Sequence, residues 1–141
     1  TARLQRRHVQ IHRDQPVLAL AGDEVLVAFA DLVRGTLRHA DTAGRYGGEE
    51  FAFVFPETTP EEAAVLSNRL RVRLDALVIA LPDGKSLRMT LSIGLADASV
   101  LSLEEALSLA DRALYDAKSS GRNAVVLAPA PGISITASGS D

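Results

Sequence analysis

An α/β fold, an α+β sandwich with helices packed on a central mixed β-sheet, is what three features of this 141-residue sequence predict. Apolar runs of strand length alternate with segments of helical periodicity, two of those segments open on a Ser or Thr cap, and a Gly-Gly pair divides a hairpin. The composition agrees. Hydrophobic residues make up 47% and charged residues 23% of the chain, the proportions of a single globular domain. Lys and Arg number 15 against 18 Asp and Glu, a net charge of -3, so the chain lacks the cationic excess by which non-specific nucleic-acid binders neutralise phosphates. The absence of cysteine excludes disulfide frameworks, zinc ribbons and thiol nucleophiles. No uncharged apolar run approaches the ~20 residues of a membrane-spanning helix and no signal-peptide pattern opens the sequence, so we expect a soluble, cytoplasmic domain.

Taken in order, Thr1 to Arg13 sets Arg3, Arg6, Arg7 and Arg13 around Leu4 and Ile11 and reads as a short helix. Asp14-Gln15-Pro16 then turns the chain into Pro16-Val17-Leu18-Ala19-Leu20, an apolar run suited to a buried strand. From Gly22 onward Val25, Leu26, Phe29, Ala30, Leu32, Val33 and Leu37 recur at helical spacing, behind the acids Asp23 and Glu24 that a helix N-terminus favours, and this helix should end near Arg38. Arg45 to Phe55 places Gly47-Gly48 between two strands, the second closed by Pro56. Thr59 caps and Pro60 opens a further helix carrying Ala64, Leu66, Leu70 and Leu74. The turn Pro82-Asp83-Gly84-Lys85 precedes Leu87 to Leu95, which reads as one strand. Ser102 caps a helix through Ala106, Leu107, Leu109, Ala110, Ala113 and Leu114 that stops before Gly121, a left-handed terminator. Ala124 to Leu127 closes as a strand. Residues 128–141, dominated from Pro129 by Pro, Gly, Ser and Ala, read as a flexible tail, which leaves the domain over 1–127.

The string Arg45-Tyr46-Gly47-Gly48-Glu49-Glu50-Phe51 resembles the signature of the GGDEF family, the diguanylate cyclases, in its Glu-for-Asp form. The similarity extends, in the family's order, over most of residues 22–127. Gly22-Asp23-Glu24-Val25-Leu26 is similar to the helix start after the family's first catalytic loop, and Thr90-Leu91-Ser92-Ile93-Gly94 to its penultimate core strand. Ala110-Asp111-Arg112-Ala113-Leu114-Tyr115-Asp116-Ala117-Lys118, followed by Gly121-Arg122-Asn123, is similar to its last helix and turn.

The resemblance implies a nucleotide-cyclase-like fold with the Gly-Gly hairpin at the active site. It implies an enzyme that condenses two GTP into cyclic di-GMP and two pyrophosphates across a homodimer, with Mg²⁺ or Mn²⁺ as cofactor and an upstream sensory or receiver domain. Among its residues, Glu49 becomes the metal ligand with Glu50 in support, and Lys118 and Arg122 the phosphate-contacting pair. Asp23, Leu26, Arg45, Gly47 and Gly48 become substrate-binding residues. Glycines suit that role because a backbone without β-carbons can approach a triphosphate and offer its N–H groups. Asp23 would accept from guanine N1–H and N2–H₂; adenine would leave it unpaired, at a cost of about 1–3 kcal/mol. Arg38-His39-Ala40-Asp41 resembles the family's RxxD product-inhibition site, with Arg69 as a further arginine whose planar fork suits phosphate.

Plainer readings stand beside these. Gly-Gly-Glu-Glu also describes a hairpin turn with solvated acids, Asp23 a helix N-cap worth about 1 kcal/mol, Arg38 with Asp41 a surface ion pair, and Lys118 with Arg122 complements to a helix C-terminus. His8 and His12 stand four apart without a third ligand nearby and read as solvated.

The resemblance breaks in one place. The family's first strand continues through D-x-D-x-F-K-x-x-N-D-x-x-G-H, whereas here Leu20 meets Ala21 directly and the first metal aspartate and the base-reading asparagine are missing. A natural deletion, an engineered one, or a mobile loop left out of the numbered residues accounts for the gap. Loss of catalysis with that segment would leave a module that binds cyclic di-GMP at Arg38, Asp41 and Arg69 as a sensor.

Overall fold

The structure, a computed structural model, describes residues 6–13, 22–47, 50–99 and 101–129. Their order is β1 (Arg6–Arg13), α1 (Gly22–Thr36), β2 (Thr42–Gly47), β3 (Glu50–Pro56), α2 (Pro60–Ala76), β4 (Ile79–Ala80), β5 (Ser86–Leu87), β6 (Leu91–Asp97), α3 (Leu103–Ser119) and β7 (Val125–Leu127). Five strands form one sheet in the order β2-β3-β1-β6-β7, antiparallel except for the parallel β6–β7 pair, while β4 and β5 make a separate two-stranded ribbon. This is the mixed, helix-flanked sheet the sequence predicts.

The first element corrects the sequence reading. Arg6–Arg13 is a strand, not a helix, and it occupies the centre of the sheet between β3 and β6. The physical reason lies in Val9 and Ile11, two β-branched residues two positions apart, a spacing that fits a pleat and not a helical turn. In register, Val9 stands opposite Phe53 and Leu95, and Ile11 opposite Phe51 and Ile93. The strand expected over Pro16–Leu20 and residues 130–141 of the expected tail lie outside the described residues, but Ala128, expected to open that tail, is buried against Ala96, Ala110 and Ala113 and donates its amide to the Leu95 carbonyl at 2.8 Å, because the sheet ladder continues past β7. The single strand expected from Leu87 to Leu95 is two, β5 and β6, because Ser86 and Leu87 pair back onto Ile79 and Ala80 across the Gly84 turn, where φ is 83°. The remaining expected elements form within a few residues of their sequence limits.

Two layers of helix cover the sheet. On one face, Phe29 and Val33 of α1 and Ala63, Leu66, Leu70 and Leu74 of α2 pack with Phe53, Phe55, Leu91, Ile93 and Leu95 in the larger core cluster. On the other, α3 lies against the alternate residues of β6. Ala96 packs with Ala110 and Ala113, and Ala106 and Ala117 are fully buried on the same helix. Leu91 through Ala96 is consequently buried without interruption, as expected for a strand covered on both faces. Gly94 is the closest approach: a Cβ there would overlap the Ala110 carbonyl oxygen and the Leu114 nitrogen, both backbone atoms that cannot swing aside.

Helix ends follow their chemistry. Thr59 and Ser102 accept hydrogen bonds from the Glu62 and Glu105 amides, at 3.1 and 3.2 Å. Arg73, in the last turn of α2, donates to the Gly35 carbonyl at 3.2 Å and to Thr36 Oγ1 at 2.9 Å, so it caps the C-terminal end of α1 and ties the two helices together. No helix among the described residues is long and apolar enough to cross a membrane.

Gly94→Ala is expected to cost at least about 3 kcal/mol of unfolding free energy, because the overlap is with helix backbone. A denaturant titration in which the variant loses less than about 1 kcal/mol would show that α3 can move off the strand.

Candidate functional site

Strand register sets which loops share an end of the sheet. His12 near the end of β1 pairs with Glu50 at the start of β3 and with Ser92 in β6, and Ile93 pairs with Val125 of β7. The end of β2 at Gly47, the start of β3 at Glu50, the end of β1, the start of β6 and the turn entering β7 therefore lie along one edge. Three strand spacings, about 14 Å, separate Glu50 from that turn. The same edge receives the C-terminal part of α2, whose Asp75 bonds to Asn123. Val27 and Ala28 of α1 share a groove with Ile79 and Ala80, immediately after α2.

On this edge, Gly47 ends β2 in register with Glu50, and a register shift between Arg45 and Gly47 puts a bulge beside the bend. Arg45 pairs with Phe51. Gly48 and Glu49 lie outside the described residues. Asp23 and Leu26 occupy the first two turns of α1. Lys118 is half-buried in the last turn of α3, and Arg122 is exposed in the turn that follows. That turn carries three consecutive positive φ values, 115° at Gly121, 66° at Arg122 and 48° at Asn123. For Arg in particular this region is unfavourable, at about 1–3 kcal/mol, and it persists only where neighbours over-determine it. Here the Arg122 amide donates to the Ala117 carbonyl at 3.0 Å, closing α3, and Ala124 accepts from the Ile93 amide at 2.9 Å.

A hard divalent cation takes oxygen ligands. At the bend the acids of suitable chemistry are Glu49 and Glu50, but β1 beside them reads Arg-Arg-His-Val-Gln-Ile-His-Arg, with His12 opposite Glu50 and no carboxylate. Among the described residues no three His, Cys, Asp or Glu side chains cluster as a metal site. Glu49, the expected ligand, lies outside the described residues. Leu20 and Ala21 are consecutive in the 141-residue sequence, so the absent segment has no place in the chain.

Arg38 and Asp41 form a second constellation, past the end of α1. Asp41, whose side chain is fully enclosed, accepts from the Arg38 amide at 2.7 Å, from Nε at 3.1 Å and from Nη2 at 2.9 Å. The bond to Asp41, reinforced by the charges of Asp41 and Glu62, raises the Arg38 pKa further above its usual range, against a smaller opposing effect of burial. Arg38 Nη2 also donates to the hydroxyl of Thr58, which is buried and itself donates to the Pro56 carbonyl at 2.7 Å. Sequence reasoning missed Thr58. The signal available was the Thr58-Thr59-Pro60 run, of which only Thr59 is used as the helix cap. Arg38 further lines a shallow groove with Glu61, Glu62, Val65 and Leu66. Arg69 is exposed on α2, one turn beyond Val65 of that groove.

A cavity of about 580 Å³ adjoins this second constellation, with Arg38 and Asp41 among its lining residues. It lies between α1 and the β2–β3 face, with Phe29, Val33, Phe51 and Phe53 as its floor and Arg34, Arg38 and His39 at its rim. The Phe29 and Phe51 rings meet at 4.8 Å with a 42° tilt. Both rim arginines already have acid partners, Arg34 with Asp31 at 3.3 Å and Arg38 with Asp41, so the cavity presents little uncommitted charge.

Comparison with known proteins agrees with this geometry. The family model described as diguanylate cyclase, GGDEF domain, matches residues 19–124. Diguanylate cyclase A of Treponema denticola is 41% identical over 110 residues, which cover 76% of this chain and 29% of that protein. The chain thus spans less than a third of that curated relative. The crystal structure of the GGDEF domain of DgcB from Caulobacter crescentus in complex with c-di-GMP superimposes with a TM-score of 0.80 at 26% identity, covering 88% of this chain and 78% of that one. The active GGEEF domain of a diguanylate cyclase from Vibrio cholerae gives 0.76 at 25% identity, covering 90% and 85%.

Arg38→Ala strips an enclosed carboxylate of its guanidinium donors and is expected to cost about 2 kcal/mol of stability. In a double-mutant cycle with Asp41→Ala the coupling should reach about 1 kcal/mol, and strictly additive losses would show the pair to be energetically idle.

Proposed function

The chain belongs to the GGDEF family, and from that premise we propose that it is a diguanylate cyclase, condensing two GTP into cyclic di-GMP and two pyrophosphates across a pair of domains that each hold one GTP. The observation that carries the reading is the shared sheet edge: Gly47 and Glu50, which flank the Gly48-Glu49 pair in sequence, stand in line with the turn that bears Arg122. Each 3'-hydroxyl attacks the α-phosphorus of the other nucleotide, forming a new P–O bond as the bond to pyrophosphate breaks. Gly47 and Gly48 let the triphosphate approach the backbone, and Lys118 and Arg122 neutralise its oxygens. Asp23 takes the guanine N–H edge and Leu26 lines the base. Mg²⁺ or Mn²⁺ held by Glu49 would supply charge neutralisation at the reacting phosphates. Arg38 and Asp41, with Arg69 nearby, bind the product and inhibit, and a sensory or receiver region of a longer protein supplies the input.

One observation favours a second reading. β1 offers no carboxylate opposite Glu50, so a domain unable to load its metal would act as a cyclic di-GMP sensor through Arg38, Asp41 and Arg69.

Incubation with GTP and Mg²⁺, followed by chromatographic resolution of the nucleotides, separates the two. A cyclic di-GMP peak removes the pure sensor, and unconsumed GTP with retained cyclic di-GMP binding removes the cyclase. Glu49→Gln should abolish turnover while product affinity stays within about twofold. Turnover at the parent rate would take Glu49 out of the metal role. Arg38→Ala should relieve inhibition by added product in material shown to be folded, and an unchanged inhibition curve would place the product elsewhere.

A further inference from the structure

We propose that Arg71 and Asp75 of α2 are positioning residues for Arg122, fixing the left-handed turn from which its guanidinium reaches the phosphates of GTP. The proposal rests on the cyclase reading for what Arg122 does, and on geometry alone for how it is held.

The turn needs holding. Arg122 and Asn123 are adjacent non-glycine residues with φ of 66° and 48°, and only Asn tolerates that region readily. α3 secures one side through the Arg122 amide, and the sheet secures the other through Ala124. Neither contact touches the Asn123 side chain. α2 does, from the opposite face of the sheet. Arg71 Nη1 donates to Asn123 Oδ1 at 3.0 Å, with a longer contact of 3.5 Å to the Asn123 carbonyl, and Asn123 Nδ2 donates to Asp75 Oδ2 at 3.4 Å. Arg71 and Asp75 thus grip both ends of one amide, a pairing that specifies its orientation.

The grip is itself braced. Arg71 Nε donates to Asn68 Oδ1 at 2.9 Å one turn earlier on α2, which keeps the guanidinium plane from rotating about its stem. Arg88 Nη2 donates to the Asp75 carbonyl at 2.8 Å and pins the last turn of the helix. A guanidinium can serve Asn68 and Asn123 at once; a lysine ammonium at the same position reaches Asn123 with a weaker hold on its direction. The network therefore sets the direction in which Arg122 leaves the backbone without touching the nucleotide.

Arg71→Ala and Arg71→Lys test this in the 141-residue protein. Arg71→Ala should raise KM for GTP about tenfold while kcat stays within about twofold, because contacts to non-reacting phosphates act on ground and transition states alike. Arg71→Lys should recover most of the loss. A KM for Arg71→Ala within twofold of the parent, or a KM and kcat that change only in step with the folded fraction, overturns the proposal. The second arm is independent of turnover: the three-bond amide couplings of Arg122 and Asn123, read by NMR, should shift in Arg71→Ala and return in Arg71→Lys. Unchanged couplings overturn the proposal by themselves. A parent protein that neither binds nor converts GTP defeats the cyclase reading instead, a result distinguishable from either failure above.

Discussion

The bare backbone of Gly94 is the constraint from which the functional edge follows. α3 approaches β6 so closely that the carbonyl of Ala110 and the amide of Leu114 occupy the space a β-carbon would take. Ala106, Ala110, Ala113 and Ala117, all buried, continue that flat contact along the helix. Alanine and glycine surfaces bury little area per residue, so the attraction comes from short range and high packing density rather than from large side chains. A helix seated this deep has a fixed axial position, and its C-terminal turn then arrives beside the start of β7, where Ala124 bonds to Ile93. Lys118 and Arg122 hold their station because a strand in the sheet lacks a side chain.

Much of this was legible in the sequence, and the parts that were not share a physical cause. The caps at Thr59 and Ser102, the terminator at Gly121 and the apolar periodicity of α1 are local signals, settled within one or two turns of chain, and the structure bears them out. β1 failed because the four arginines of residues 1–13 drew the reading towards a helix, whereas the decision lay in partners far along the chain, Phe53 and Leu95 on either side of Val9. The short β4–β5 ribbon was missed for the same reason. At the edge, residue identity announced Arg122 but not the conformation that holds it, since the contacts to Asn123 come from a helix some fifty positions earlier. Thr58 and the cavity floored by three phenylalanines are equally products of tertiary assembly.

In the proposed product site, Arg38 and Asp41 would carry structural and recognition work together. The carboxylate is enclosed and already accepts from backbone and guanidinium donors, so a ligand that reads both side chains must exchange an internal ion pair for an external one. Its net affinity is the difference between two similar sets of charge-assisted bonds, which makes it sensitive to small changes in Thr58 or Glu62. Through Arg73, which caps α1 two residues before Arg38, the same corner is tied to the far half of α2.

The strand that stands earliest among the described residues is also the middle of the sheet. β2 and β3 share no ladder with β6 and β7 except through β1, so residues 6–13 are a keystone between an antiparallel hairpin and a parallel pair. Proteolytic nicking or trimming at that strand would not fray an edge, as loss of a terminal strand usually does, but would open a seam through the molecule's centre. Folding carries the mirror image of that vulnerability: the keystone is synthesised before either half it joins, and must wait for both to find it.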